Sequence, residues 1–327
     1  MNFRPFTMNI ELTTRCPLKC PQCYCNHDTW KDVDITVAKA KVKEASEFGV
    51  KIVNLSGGET LGYPHLYELI KTIKQYGMHA NISTSGVGFD EGVLEKLQES
   101  QIDGISISLN GSTREINQQT RDGYEYAIKA LDLLAKKKFV NTTINWVMHK
   151  SNASDFLEMM SLAERYNVKY VMVLSFKPDL SYRINEFPTK EQIIELSKEI
   201  NNYCGNTKVT IQTCFSQLVA ISADTKLFGN LNVGPHKGCP AGRSTYTITV
   251  DGLYAPCRHL DYHEDCDGIA EYWNSSQVLH KLRNAEQSKK EPCAKCKFSK
   301  HCLPCFAVNS KLKNEIYIGH EICDIYK

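Results

Sequence analysis

Residues 16–23 of the chain read Cys-Pro-Leu-Lys-Cys-Pro-Gln-Cys, which places three cysteines at a CxxxCxxC spacing. The loop follows residues 9–14, where apolar and polar side chains alternate as in a strand. The cysteines are therefore predicted just past the carboxyl end of a strand, where α/β sheets and barrels carry their active sites. Structural zinc usually takes four protein ligands, whereas three thiolates leave one corner of an iron–sulfur cube open to a small molecule.

A second motif, Ser56-Gly57-Gly58-Glu59, directly follows the apolar strand predicted at residues 51–55. Glycines let a backbone approach a ligand closely, and a carboxylate beside them can receive an ammonium group. Alone, the motif is also compatible with an ordinary Gly-Gly turn. Its position beside the cysteine loop favours a binding role.

The two motifs together resemble those of the radical S-adenosylmethionine (radical SAM) superfamily. The resemblance implies that Cys16, Cys20 and Cys23 bind a [4Fe–4S] cluster that chelates S-adenosylmethionine (SAM) at its unique iron. It also implies that the Gly-Gly-Glu motif binds the amino group of SAM.

Further SAM contacts follow from the same resemblance. Ser108 lies in Ser-Leu-Asn-Gly, where relatives read Ser-x-Asp-Gly, and Arg121 resembles the arginine of the family's Arg-x-x-Gly region. Because a guanidinium binds a carboxylate bidentately, these two residues are candidates for the SAM carboxylate, with a turn serine and a surface arginine as the alternative. Thr84-Ser85 lies where relatives place residues near the ribose. The candidate SAM contacts are Gly57, Gly58, Glu59, Ser85, Ser108, Arg121 and Tyr24.

Two positions depart from the family pattern. Relatives usually carry an aromatic residue just before the third cysteine, where this chain has Gln22, so the contact to adenine is left open. Asn110 replaces a common Asp, which removes a carboxylate base at that position.

Predicted strands and helices alternate up to about residue 217, giving six or seven β/α units. Such alternation implies parallel strands with right-handed crossovers, but falls short of the eight units of a TIM barrel. Radical SAM relatives form a partial (β/α)6 barrel that is open on one side, and a closed barrel is the alternative. We expect an α/β fold with this TIM-like barrel at residues 1–217, a linker at 218–238 and a cysteine-rich domain at 239–327.

The C-terminal cysteines follow the order Cys239-x12-Gly252-x4-Cys257, then Cys293-x2-Cys296-x5-Cys302-x2-Cys305, and finally Cys323. A zinc ribbon separates its two CxxC pairs by about 15–20 residues, whereas five residues separate them here. The order resembles the seven-cysteine SPASM domain of radical SAM peptide maturases. That domain usually has three residues between its fifth and sixth cysteines, whereas this chain has two between Cys302 and Cys305.

The SPASM resemblance implies two auxiliary [4Fe–4S] clusters. The first would be held by Cys239, Cys257 and Cys305, and lacks a fourth cysteine because Thr245 stands where a relative carries one. Cys266, His259, water or substrate are the alternatives for that ligand. The second cluster would be held by Cys293, Cys296, Cys302 and Cys323.

Four cysteines are left unassigned: Cys25, Cys204, Cys214 and Cys266. Cys214 ends the last predicted strand and so is the candidate to face the barrel mouth and donate a hydrogen atom to a substrate radical. A small buried hydrophobe is the alternative for this residue.

Composition narrows the class of protein. The 327-residue chain has a formal net charge of +2, which gives no basis for binding nucleic acid or a membrane surface. Fourteen cysteines without a secretory signal favour metal ligation over a disulfide framework. We therefore predict a cytoplasmic protein.

The resemblance implies reductive cleavage of SAM to methionine and a 5′-deoxyadenosyl radical, with flavodoxin or ferredoxin as the reductant. The expected substrate is a ribosomally made peptide that acquires a thioether, a carbon–carbon crosslink or an epimerised residue. Since fifteen residues precede Cys16, we expect one of three arrangements: a separate leader-binding protein presents the peptide, the barrel reads it directly, or the substrate is not a leader peptide. The alternatives are a radical SAM dehydrogenase or epimerase of a sugar or aminoglycoside, and a zinc-rich binding protein.

Overall fold

The structure is a computed structural model that describes residues 3–25, 29–177, 185–224, 238–300, 302–313, 316 and 323. Its strands form one sheet in the order β7-β6-β5-β4-β3-β2-β1-β8-β9. They are β1 (Thr7–Glu11), β2 (Ile52–Ser56), β3 (His79–Thr84), β4 (Gly104–Ser108), β5 (Thr142–Met148), β6 (Tyr170–Ser175), β7 (Lys208–Ile211), β8 (Thr245–Ile248) and β9 (Tyr254–Ala255).

All neighbouring strands from β7 to β8 pair in parallel, and β9 pairs with β8 in the antiparallel sense. Strands β7 and β9 form the two edges, so the sheet is open. The predicted α/β class with parallel strands is confirmed. Each strand from β1 to β7 is followed by a helix, which gives seven β/α units within the described residues. Because the strands are parallel, the loops after β1 to β7 share one edge of the sheet.

The helices between and after the strands are α1 (Ile35–Glu47), α2 (Leu66–Gln75), α3 (Glu91–Glu99), α4 (Arg114–Gln118), α5 (Tyr124–Lys136), α6 (Phe156–Arg165), α7 (Lys190–Asn202), α8 (Ser216–Asp224), α9 (Ile269–Ser275), α10 (Gln277–Arg283) and α11 (Phe306–Lys313). Within the described residues, none of the helices is long and apolar enough to cross a membrane.

Helix starts follow the local signals in the sequence. Asp90 accepts a hydrogen bond from the N–H of Val93, as expected of an N-cap. Thr189 and Gln192 form the predicted capping box at the start of α7. Part of the predicted linker is helical, since α8 reaches residue 224, and residues 225–237 lie outside the described part of the chain.

The predicted hairpin around Gly252 is present and extends the main sheet. Strand β8 pairs with β1 from Thr7 to Ile10, and β9 folds back on β8 through a turn in which Gly252 has a φ of +79°. Tyr254 on β9 donates a 2.5 Å hydrogen bond to Glu44 Oε2 and accepts one of 2.9 Å from Lys41 Nζ, both on α1. The C-terminal segment is thereby fixed to the first β/α unit.

The turn after β2 packs directly on the loop after β1. The Gly58 N–H donates to Thr13 O at 2.6 Å, and the Glu59 N–H donates to Arg15 O at 2.7 Å. A Cβ on Gly58 would lie 2.2 Å from Arg15 O, and one on Gly57 would lie 2.5 Å from Thr13 O. Both glycines are therefore required by backbone packing, whatever ligand the turn binds.

We expect Gly58→Ala to lower the free energy of unfolding by about 1–3 kcal/mol, because the added methyl group meets backbone that cannot move aside. Urea unfolding of the anaerobic protein measures this change. Gly62→Ala is the matched control, since a Cβ at Gly62 meets nothing within 4 Å. Equal stability of the two variants would contradict this account of the turn.

Candidate active site

The three cysteines of the CxxxCxxC loop lie close to one another and are each half-buried. The Cys23 N–H donates to Cys20 O at 3.0 Å, which closes the loop. Burial raises the pKa of the Cys16 thiol to about 11, and the negative charges of Glu59, Cys20 and Cys23 act in the same direction. Since thiolates are the form that binds metal, three of them here need compensating positive charge, which iron supplies. The donor set fits a cluster with one open iron.

Arg121 lies beside this loop. Burial raises the pKa of the Cys20 thiol, while the Arg121 guanidinium opposes that shift, and the Asp122 N–H donates to Cys20 Sγ at 3.4 Å. Among the described residues, no hydrogen-bond acceptor reaches the buried Nε of Arg121. Such an unsatisfied donor costs about 1–3 kcal/mol, which a bound carboxylate would offset. Ser108, its predicted partner, is half-buried at the carboxyl end of β4.

The Glu59 carboxylate joins the ends of β2 and β3. Its Oε1 accepts from Thr84 Oγ1 at 2.5 Å and from the Leu61 N–H at 3.1 Å. Its Oε2 accepts from the N–H of Ser85 at 2.9 Å and from the Ser85 hydroxyl. A carboxylate has about four lone-pair sites, and these donors fill them. An ammonium group can therefore bind this carboxylate only by displacing one of the four donors. Ser85, which was predicted to lie near the ribose of SAM, is hydrogen-bonded to Glu59 instead.

Backbone atoms of the same turn also face the cysteine loop. The Cys25 thiol donates to Gly57 O at 3.4 Å. Cys25 was left without a role by the sequence, and this contact places it between the cysteine loop and the Gly-Gly-Glu turn.

A polar network around Gln22 was not predicted from the sequence. Asn110 Nδ2 donates to Gln22 Oε1 and to Thr120 Oγ1, both at 2.9 Å, and His149 Nε2 lies 2.5 Å from the same Gln22 oxygen. Asn110 and His149 are buried. Because the Gln22 oxygen is an acceptor, the contact requires the His149 proton on Nε2. The residue that replaces the family's aromatic side chain thus fixes the loop to the ends of β4 and β5.

Tyr24 faces the C-terminal segment. Its ring centroid lies 4.5 Å from that of His259 in an edge-on contact, and Arg258 Nη1 donates to its hydroxyl at 3.4 Å. Burial lowers the pKa of His259, and the nearby Lys177 and Arg258 cations lower it further. Tyr24 thereby connects the cysteine loop to the segment that follows β9.

Three cysteines assigned by the resemblance to the first auxiliary cluster gather around Lys177. Cys239 and Cys305 are buried and Cys257 is half-buried. Burial alone would lower the pKa of Lys177, but the thiols of Cys214, Cys305, Cys257 and Cys239 raise it above its ordinary value. Lys177 could not be predicted as a site residue from the sequence, because it lies just beyond β6 and belongs to no motif.

The cysteines assigned to the second auxiliary cluster line a single cavity. Phe298 and Pro304 complete its wall, and Ser216, Gln217 and Ala220 contribute from α8. The four cysteines in the wall are Cys293, Cys296, Cys302 and Cys323.

Within the described ranges, no three His, Cys, Asp or Glu side chains are drawn tightly enough around one point to hold a single metal ion. Each cysteine of an iron–sulfur cube binds a different iron, so such ligands are more widely separated than those of one ion.

Comparisons with known proteins agree with this site. The model of the radical SAM superfamily matches residues 10–163. The PqqA peptide cyclase of Ruegeria pomeroyi is 34% identical over 316 residues, covering 89% of this chain and 79% of the relative. The chain therefore belongs to the radical SAM superfamily. It is a radical SAM enzyme, and the family implies a [4Fe–4S] cluster and SAM as its cofactors.

Two solved structures share the fold. SuiB of Streptococcus suis bound to the precursor peptide SuiA has a TM-score of 0.77 at 18% identity, covering 98% of this chain and 76% of SuiB. The structure of anSMEcpe with bound AdoMet and Kp18Cys peptide has a TM-score of 0.77 at 17% identity, covering 98% of this chain and 95% of anSMEcpe.

We expect Glu59→Gln to lower the free energy of unfolding by about 1–3 kcal/mol, because an amide NH2 would meet the buried donors of Thr84 or Ser85. Anaerobic urea unfolding measures the loss. Glu95→Gln, on the exposed face of α3, is the matched control and should change stability by less than about 0.5 kcal/mol. If the two variants unfold alike, the Glu59 carboxylate does not join the strands as described.

Proposed function

We propose that this enzyme modifies a ribosomally made peptide. The observation that carries the proposal is the 34% identity to a PqqA peptide cyclase along 89% of this chain. The likeness to SuiB, whose structure contains a precursor peptide, agrees with it at the level of the fold.

The proposed roles at the SAM site combine the sequence motifs with the contacts described above. Cys16, Cys20 and Cys23 hold the cluster. The chemistry that a bound cluster and SAM supply is reductive cleavage of SAM to methionine and a 5′-deoxyadenosyl radical, which abstracts hydrogen from an unactivated carbon. The unsatisfied Nε of Arg121 supports a role in binding the SAM carboxylate, together with Ser108.

The remaining contacts shape the pocket. The backbone of the Gly57–Gly58 turn is assigned to the amino group of SAM, and Glu59 and Ser85 hold that turn in place. Gln22 takes the position of the family's aromatic residue and offers an amide rather than a ring. Tyr24 is assigned to the wall of the SAM pocket, where it contacts His259 and Arg258 of the C-terminal segment.

We further propose that residues 239–327 form a SPASM domain that follows the barrel at 1–217 and the linker at 218–238. The cavity lined by four cysteines supports the auxiliary cluster held by Cys293, Cys296, Cys302 and Cys323. The thiols gathered around Lys177 support the other auxiliary cluster.

The word cyclase in the relative's name favours a ring-forming crosslink over an epimer. A crosslink requires the substrate radical to lose an electron, and the auxiliary clusters offer a route for it. We assign flavodoxin or ferredoxin as the reductant and the cytoplasm as the compartment. The peptide is either presented by a separate leader-binding protein or read directly by the barrel.

After anaerobic reconstitution, we expect about twelve irons per chain and a loss of about four in the Cys16→Ala/Cys20→Ala/Cys23→Ala variant, because each [4Fe–4S] cluster contributes four irons. With SAM and dithionite, the wild type should release 5′-deoxyadenosine and the variant should not. Cys204→Ala, at an exposed cysteine, is the control. Zinc in place of iron, without deoxyadenosine, would contradict the proposal.

The reaction type is tested by mass spectrometry on a peptide encoded beside the gene. A crosslink removes two hydrogens from the peptide, whereas epimerisation in D2O leaves its formula unchanged except for one deuterium. If the mass of the peptide does not change and the peptide does not stimulate deoxyadenosine formation, the proposal that this peptide is the substrate is contradicted.

A further inference from the structure

We infer that Cys214, from the turn between β7 and α8, is the fourth cysteine ligand of the first auxiliary cluster. It would complete the set formed by Cys239, Cys257 and Cys305. The inference rests on the proposed function, since it requires an auxiliary cluster at this place.

The geometry brings Cys214 to this group although it belongs to the barrel in sequence. The Cys214 and Cys305 side chains lie next to each other, and Cys239 and Lys177 are also close to Cys214. Cys214, Cys239 and Cys305 are only 5%, 6% and 3% exposed. Four thiols from four separate segments therefore meet in one shielded place, which is the donor set of a [4Fe–4S] cluster.

Lys177 lies close to all four of these cysteines. Its Nζ donates to Ser175 O and to Gln212 Oε1, both at 3.0 Å. Gln212 lies two residues before Cys214, so this hydrogen bond fixes the turn that carries the thiol. A [4Fe–4S] cluster with four thiolates is a net anion, and a fixed ammonium beside it lowers the cost of burying that charge.

Backbone N–H groups also lie close to these sulfurs. Those of Ala307 and Val308, at the start of α11, are near the Cys305 sulfur. The Ala241 N–H is near the Cys239 sulfur, and the His259 N–H is near the Cys257 sulfur. Hydrogen bonds to the ligand sulfurs are among the means by which a protein tunes an iron–sulfur cluster.

Cys266 is the rival cysteine, and its surroundings differ. The charges that face it are the carboxylates of Glu264, Glu271 and Asp265, with Lys41 as the nearby cation. It lies by the Tyr254 and Tyr272 rings, on the side of the hairpin that packs on α1. Three nearby carboxylates make it unfavourable for Cys266 to ionise and to bind a cluster that is itself negatively charged.

The assignment changes the chemistry available at the site. A thiolate bound to iron carries no S–H hydrogen, so Cys214 does not act as the hydrogen donor when the cluster is present. With four cysteines, the first auxiliary cluster has no open iron for a substrate thiolate. It therefore serves electron transfer rather than substrate binding.

The test uses the Cys16→Ala/Cys20→Ala/Cys23→Ala protein, in which only auxiliary clusters remain. We expect about eight irons per chain in this background. Adding Cys214→Ala should either remove about four irons or shift the EPR spectrum of one reduced cluster, and Cys305→Ala should affect the same signal. Cys266→Ala should leave iron content and spectrum unchanged.

A second measurement uses the wild-type holoenzyme. Iodoacetamide labelling followed by peptide mass spectrometry should leave Cys214 unlabelled when iron is bound, and label it after denaturation in chelator. Exposed Cys204 should be labelled in both states.

Eight irons with a spectrum that Cys214→Ala does not move, or labelling of Cys214 in the iron-loaded protein, would overturn the ligand assignment alone. A background protein that binds no iron would overturn the auxiliary clusters of the proposed function, and the assignment with them.

Discussion

The site depends on a close backbone contact between the turn after β2 and the loop after β1. Two hydrogen bonds, from Gly58 to Thr13 and from Glu59 to Arg15, bring the two segments together. The contact is possible only because residues 57 and 58 lack a Cβ. The same turn places the Glu59 carboxylate at the end of β3. The Gly-Gly-Glu motif therefore holds together the loops after β1, β2 and β3. The position of the cysteine loop is therefore set in part by backbone contacts of the chain itself.

Charge is the second constraint on this architecture. Buried thiols have raised pKa values, as at Cys16, so ionising several of them to thiolates in one place is unfavourable unless cations lie nearby. Arg121 lies beside the cysteine loop, and Lys177 lies among the thiols of the first auxiliary set. These two groups of cysteines thus each have a cationic side chain next to them. Lys177, at the end of β6, contributes to the electrostatics of cysteines from the C-terminal segment.

Structural features could be predicted from the sequence where they depend on neighbouring residues or on a fixed spacing between residues. The caps at Asp90 and Thr189 and the hairpin at Gly252 each depend on a few neighbouring residues, and the structure has them as predicted. Helix α8 was missed because its buried residues run without an amphipathic period, and the sequence there was interpreted as a linker. Lys177 and the contact between Gln22 and His149 could not be predicted, because they join side chains that meet only when distant strands pair.

The role of Cys214 shows the same limit. From the sequence it ends a strand and belongs to the barrel, whereas in the structure its thiol contacts Cys305 at the start of α11. Spacing patterns group cysteines that are close in the chain, but a ligand set is defined in space. The proposed ligand set therefore includes a cysteine that a linear motif does not group with the others.

The central claim is that three separate groups of cysteines each hold an iron–sulfur cluster. Anomalous diffraction at the iron absorption edge, from crystals of the reconstituted enzyme, tests it most directly. The account predicts three iron positions: one on the loop after β1, one among Cys214, Cys239, Cys257 and Cys305, and one in the cavity lined by Cys293, Cys296, Cys302 and Cys323. Zinc at these positions, or iron on the β1 loop alone, would contradict it.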